Sequence, residues 1–119
     1  IMFFKVLRND KDIYWTEHAK AKMRQYQLSE GRLRRILRVF HRREKGIAPR
    51  TIALMQKTGS KKRPSEIWLM YQQKGQRKKI ISAWRYPGIS PIGEPMPIPE
   101  DIIEELKKYR GLFLPKKRK

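Results

Sequence analysis

The chain has 119 residues, no cysteine, and 30 Lys/Arg against 11 Asp/Glu, for a net charge of +19. That length suits one domain with a modest core, and the missing thiols exclude disulfides, thiolate metal sites and a cysteine nucleophile. No run approaches the roughly 18 apolar residues of a membrane-crossing helix, the N-terminus turns charged too quickly for a signal peptide, and so positive a chain selects polyanions, nucleic acid first. Residues 1–87 hold 23 of the cations and 6 of the acids; residues 88–119 hold 7 and 5. The charge therefore belongs to the body rather than to a basic tail. An anionic membrane surface and an acidic protein partner are the plainer alternatives.

In chain order, Met2–Arg8 reads as a first strand and Asn9–Asp12 as a turn. Ile13-Tyr14-Trp15 is a short apolar lead into a helix. Thr16 is its N-cap, Glu17 lies in its first turn, and Ala19, Met23 and Tyr26 give it an apolar face. Ser29 caps a second helix, expected from Glu30 to about His41, with Leu33, Ile36, Leu37 and Phe40 as its core stripe. Arg34, Arg38 and Arg42 fall four apart on another face, beside Arg35 and Arg43. A solvated outer face usually mixes signs, and this row has only Glu30 and Glu44 to pair with. Gly46 ends the helix.

Thr51–Lys57 is a strand by its β-branched content, and Lys61, Lys62 and Arg63 form a basic loop. Glu66–Gln73 and Arg77–Tyr86 are two apolar runs joined by Lys74, Gly75 and Gln76, a hairpin. Alternation groups Ile80, Ser82, Trp84 and Tyr86 on one side, and Lys79, Ile81, Ala83 and Arg85 on the side expected to lie under the helices. Five of the eight prolines then fall between Pro87 and Pro99, which implies an extended arm. Pro99, Glu100 and Asp101 open a last helix. Lys107, Lys108 and Arg110 close it, and Gly111 follows. The expected fold is α+β, with two N-terminal helices on one side of an antiparallel sheet of about four strands. The body spans residues 1–87; the arm, helix and basic tail span 88–119.

His18 and His41 are the only histidines, without accompanying ligands, so no metal or cofactor is expected. Walker, dinucleotide and G-x-S-x-G motifs are missing as well. Metal-free phosphodiester chemistry remains. RNA is cleaved when its own 2′-hydroxyl attacks phosphorus, given a base, an acid and cations for the charge. His18, in the first turn of its helix, has the dipole to lower its pKa and suit it as a base. Its polar neighbours Lys22 and Gln25 place it off the core. Arg85 suits a bidentate grip on phosphate, with Tyr86 or Tyr71 to stack a base or move a proton. Trp68 and Trp84 read as core. Lys61, Lys62 and Arg63, and Arg77, Lys78 and Lys79, suit backbone contacts with nucleic acid.

Trp15-Thr16-Glu17-His18-Ala19, then Met23, then Leu28-Ser29-Glu30 with Leu33, Ile36 and Leu37, resembles a group of small bacterial domains laid out like RelE- and BrnT-type toxins. The resemblance covers residues 13–86. It implies a two-helix, antiparallel-sheet fold and a cytoplasmic, metal-free endoribonuclease toxin, acting on RNA, often at the ribosome, and restrained by an acidic antitoxin. His18 matches the helix-1 histidine of that group and Arg85 its late-strand basic residue. The alternative is a non-catalytic module that binds rRNA or DNA through Arg34, Arg38, Arg42 and the basic loops. The acidic last helix is expected to be solvated independently; folding back over the body is the other arrangement.

Overall fold

Two long strands that are apolar on both faces form the centre of the molecule. The computed structural model describes residue 9, residues 11–47 and residues 50–107. The strand expected over Met2–Arg8 and the basic tail beyond Lys107 lie outside them. Among the described residues the elements are β1 (Ile13–Trp15), α1 (Glu17–Tyr26), α2 (Glu30–Arg38), β2 (Arg42–Lys45), β3 (Thr51–Gly59), β4 (Pro64–Lys74), β5 (Arg77–Pro87) and α3 (Glu100–Leu106). The fold is α+β. Among these residues the sheet has five strands in the order β1-β5-β4-β3-β2, against about four expected with Met2–Arg8 counted among them, and it is mixed because β1 runs parallel to β5. No helix among these residues is long and apolar enough to cross a membrane.

Two short strands depart from the sequence reading. Ile13-Tyr14-Trp15 is itself a strand, in register with Lys78, Lys79 and Ile80. Arg42–Lys45, expected around the end of the second helix, is an edge strand on β3. The helix stops at Arg38, because Val39 takes an extended conformation. Gln56 then donates to the Val39 carbonyl at 3.1 Å, which satisfies the chain as it turns toward the sheet. Arg42 therefore leaves the arginine row and pairs with Met55 in the ladder.

Each face of the sheet has its own core. On the first, Leu33 and Ile36 of α2 and Ala19 and Met23 of α1 pack on Leu54, Ile67, Leu69, Ile80 and Ala83. On the second, Ile102 and Leu106 of α3 pack on Met55, Trp68, Met70, Ile81 and Trp84, with Met96 and Ile98 of the arm beside them. The expected alternation along β5 holds for Ser82, Trp84, Ala83 and Arg85 but inverts before them. A register shift between Met70 and Tyr71 leaves Ile81 without a partner. The bulge sends Ile80 to the first core and Ile81 to the second.

α1 lies along the outer edge of β5. Its N-cap Thr16 accepts from the Ala19 amide at 3.0 Å and donates to the Ile80 carbonyl at 2.8 Å. At the other end Gln27 sits at φ 57°. Its amide donates to the Arg24 carbonyl, and the Leu28 amide donates to the Met23 carbonyl at 2.8 Å. That pair of bonds closes the helix, with buried Leu28 covering Met23.

The arm is pinned to the second face by a buried polar network. Glu66 is 1% exposed. It accepts from the Trp68 indole at 2.9 Å, the Ser90 hydroxyl at 2.7 Å and the Ser90 amide at 2.9 Å. Arg42 donates to the same hydroxyl at 2.7 Å and to Glu44 at 2.6 Å, and its guanidinium lies 5.3 Å from the Trp68 ring centroid. The independently solvated last helix is thus corrected: α3 and its arm cover a sheet face that is too apolar to meet water. Ser90→Ala leaves Glu66 and Arg42 each short of a partner. It is expected to lower unfolding stability by roughly 1–3 kcal/mol, read from urea denaturation.

Candidate nucleic-acid interface

His18 and Arg85 stand at opposite ends of α1. His18 is in the first turn, whereas Arg85 donates to the Tyr26 carbonyl at 2.8 Å and the Gln27 carbonyl at 3.3 Å, at the helix C-terminus. Eight residues of helix separate His18 from Tyr26, about 12 Å of rise. The guanidinium on the last carbonyls suits the negative end of the helix dipole. Arg85 is exposed, but it serves as the C-terminal anchor of α1. Tyr86 is half-buried against the second core, and Tyr71 is buried in the first with Lys78 over its ring at 5.7 Å. The four residues expected to cooperate in cleavage are dispersed.

His18 is buried, not on the surface as its neighbours Lys22 and Gln25 implied, and Lys22 is buried with it. The cause is α3. Lys22 donates to Asp101 and Glu105, each at 2.9 Å, and to Gln25 at 2.8 Å. His18 Nδ1 lies 3.4 Å from Glu105, and its Nε2 is 2.9 Å from the hydroxyl of Ser82. Ser82, His18 and Glu105 thus align in the order of a nucleophile, a base and an orienting carboxylate. Ser82 is 0% exposed, so no substrate carbonyl reaches its Oγ in this arrangement, and the row is a polar link, buried at Ser82 and His18 and half-open at Glu105, that joins β5, α1 and α3. From the sequence, Ser82 had a place in the alternation of β5 and Glu105 a place in an acidic helix that was solvated or folded back, but neither had a part beside His18. Only the docking of α3 brings them together.

The helix dipole was expected to lower the His18 pKa. The direction holds, but the causes differ. Burial lowers it most, Glu105 raises it, Lys22 lowers it and Asp101 raises it. For Lys22, burial works against the charge, but hydrogen bonds to Asp101 and Glu105 outweigh it and raise the pKa. The hydrogen bond from Lys22 holds the Asp101 carboxyl below its ordinary value, against a smaller effect of burial.

The arginines of α2 divide between two flanks. Its sequence EGRLRRILR holds four arginines and one glutamate. Arg34 takes that glutamate, Glu30, at 2.7 Å and stands 5.9 Å from the Trp15 ring centroid. Arg34 and Arg38 then line a cavity of about 300 Å³ together with Lys78 of β5 and Asp12. The structure therefore brings the helix row and the basic turn together. Arg42, expected in that row, is 9% exposed and committed to Glu44 and Ser90. Arg77 lies over Tyr14 at 5.2 Å, and Lys79 pairs with Gln72 in the ladder. Lys61, Lys62 and Arg63 are exposed on the β3–β4 loop, at the far end of β4 from the turn that leads to Arg77 and Lys78.

On the other flank of α2, Arg32, Arg35 and His41 line a second cavity of about 570 Å³. From the sequence, Arg32 had no assigned part and His41 entered only as a candidate metal ligand. The closeness of Arg32 and Arg35 on one helical flank is the signal that would have found them. Among the described residues, no group of three or more His, Cys, Asp or Glu is placed to hold a metal ion. Comparison of the chain with protein-family models, with curated proteins and with solved structures found no match.

The lowered His18 pKa carries a stability consequence. Between that value and 6.5 the unfolded chain binds more protons at this site than the folded one. Stability is therefore complete above 6.5 and declines as pH falls through the window. Asp101 has the same sign, acting only as pH falls below its ordinary 3.8. The urea midpoint is expected to drop between about pH 7.5 and pH 5.5, and His18→Gln to flatten most of that drop. A variant that keeps the full pH slope would assign the effect elsewhere.

Proposed function

We propose that this protein is a nucleic-acid-binding module that grips the phosphate backbone through α2 and the turn between β4 and β5. The observation that carries the reading is the placement of four arginines in nine residues of an amphipathic surface helix, flanked on both sides by cavities with further cations. The only acid in that helix is already paired with Arg34. Such a surface attracts a polyanion and releases its counterions. Guanidinium groups suit phosphate better than ammonium groups do, because they bind in a planar fork.

RNA is the favoured ligand, in the cytoplasm, and an acidic protein that masked the same arginines would compete with it. The metal-free endoribonuclease that the resemblance to RelE- and BrnT-type toxins implies has less support. It asks His18 and Arg85 to act on one phosphate, while His18 is buried beneath α3 and Arg85 holds the far end of α1. Binding without cleavage is the reading that the geometry favours.

The purified chain is expected to bind a labelled single-stranded RNA with an affinity that falls steeply with salt. Replacing Arg35, Arg38 and Lys78 together by alanine is expected to cut the slope of log K against log salt by about 2, at roughly 0.7 per lost contact. RNA recovered after incubation should be intact. An unchanged slope in the triple variant sinks the binding reading, and cleavage that His18→Ala abolishes reinstates the nuclease.

A further inference from the structure

The 570 Å³ cavity beside α2 differs from the rest of the basic surface in being built rather than merely charged. Among the described residues no carboxylate lines it. Arg32 and Arg35 contribute two guanidinium groups from one side of α2. The Nε of Arg32 is buried and has no hydrogen-bond acceptor among the described residues. That nitrogen is as closed to a ligand as the Ser82 hydroxyl, so Arg32 serves the cavity with the rest of its half-buried side chain. Gln56 and Val39 also line the cavity, and the Gln56 side chain is held by its hydrogen bond to the Val39 carbonyl.

His41 is oriented for the same task. Its Nδ1 accepts from the Lys57 amide at 2.9 Å. In the neutral ring the proton must then sit on Nε2, which makes that nitrogen a donor. Gly31 adds a backbone donor. It stands in the first turn of α2, where amides have no intrahelical partner. A Cβ built at Gly31 meets nothing within 4 Å, so the glycine leaves open approach to its own backbone. Guanidinium, imidazole N–H and amide N–H are all donors, and all are suited to phosphate oxygens. At about 570 Å³ the cleft has room for more than a bare anion. Arg35 and His41 also offer planar groups on which a base stacks.

We propose that this cavity is a nucleotide pocket, which takes one splayed nucleotide of a single-stranded RNA with its phosphate against Arg32, Arg35 and the Gly31 amide. The assignment rests on the nucleic-acid reading above and narrows it: the flank of α2 that carries Arg32 recognises a single nucleotide unit, while the flank that carries Arg38 and Lys78 follows the backbone.

The test uses the full chain, a fluorescent oligouridylate and uridine 5′-monophosphate. Gly31→Ala is the informative variant. Alanine is the better helix former and has room here, so it is expected to raise the melting temperature by about 4 °C or more. Its Cβ also stands in the way of the phosphate, so RNA affinity is expected to fall at least about fivefold. Arg32→Gln is expected to lose about tenfold or more, against less than about threefold for Lys107→Gln, which removes the same charge just beyond α3. Uridine 5′-monophosphate is expected to displace the oligomer from the wild-type chain at lower concentration than inorganic phosphate does.

Oligomer binding that Gly31→Ala and Arg32→Gln leave intact would overturn the pocket while preserving the broader reading. Binding of the mononucleotide without binding of the oligomer would overturn the broader reading and the single-stranded RNA assignment with it, leaving a site for free nucleotides. Equal displacement by inorganic phosphate would reduce the site to an anion hole and overturn its nucleotide assignment.

Discussion

The structure depends on one constraint: β4 and β5 are apolar on both faces. Leu69 and Ala83 face one way, Trp68 and Trp84 the other, and all four are fully buried. A sheet of that kind is unstable with either face in water, so it must be covered twice. α1 and α2 supply one cover. The proline-rich arm with α3 supplies the other. Trp68 and Trp84 stack across the strands with ring centroids 6.0 Å apart and only 3° between their planes, giving Ile102 and Leu106 a broad surface to pack on.

That second cover determines which polar residues are available for function. Because α1 runs along the edge of β5, its side chains reach both sides of the sheet. Ala19 and Met23 enter the first core. His18 and Lys22, one position earlier on each turn, meet Glu105 and Asp101 of α3. The acids of α3 thus serve the interior contact of the arm, and the histidine most attractive as a base is enclosed. The same economy applies to Arg42, which leaves the basic row to hold Ser90 and Glu44. What remains open is the outer side of α2, where arginines outnumber acids and the neighbouring elements add Lys78 on one flank and His41 on the other.

Much of this was legible in the residues. The N-caps Thr16 and Ser29 start α1 and α2 where expected, the hairpin turns at Gly75, and Glu100 follows Pro99 as the first residue of α3. β1 and β2 were not legible. Ile13–Trp15 is too short to show a period, and Arg42–Lys45 has no apolar residue; each is a strand only because a longer neighbour offers a free edge to pair with. The bulge at Ile81 was hidden for a related reason. Alternation assumes an unbroken ladder, and only the pairing with Met70 and Tyr71 reveals the extra residue.

The residues alone determined the fold class, the helix starts, the central hairpin and the cationic character of α2, since caps, turns, periodicity and charge are local properties of the chain. Tertiary structure alone decided what each polar side chain is for. Whether His18 is a base or a buried relay depends on α3, more than eighty residues away. Whether Arg85 grips a phosphate or a helix end depends on α1 lying against β5. Whether arginines four apart act together depends on where the helix stops. These are matters of burial and partnership between distant segments, and no local pattern encodes them.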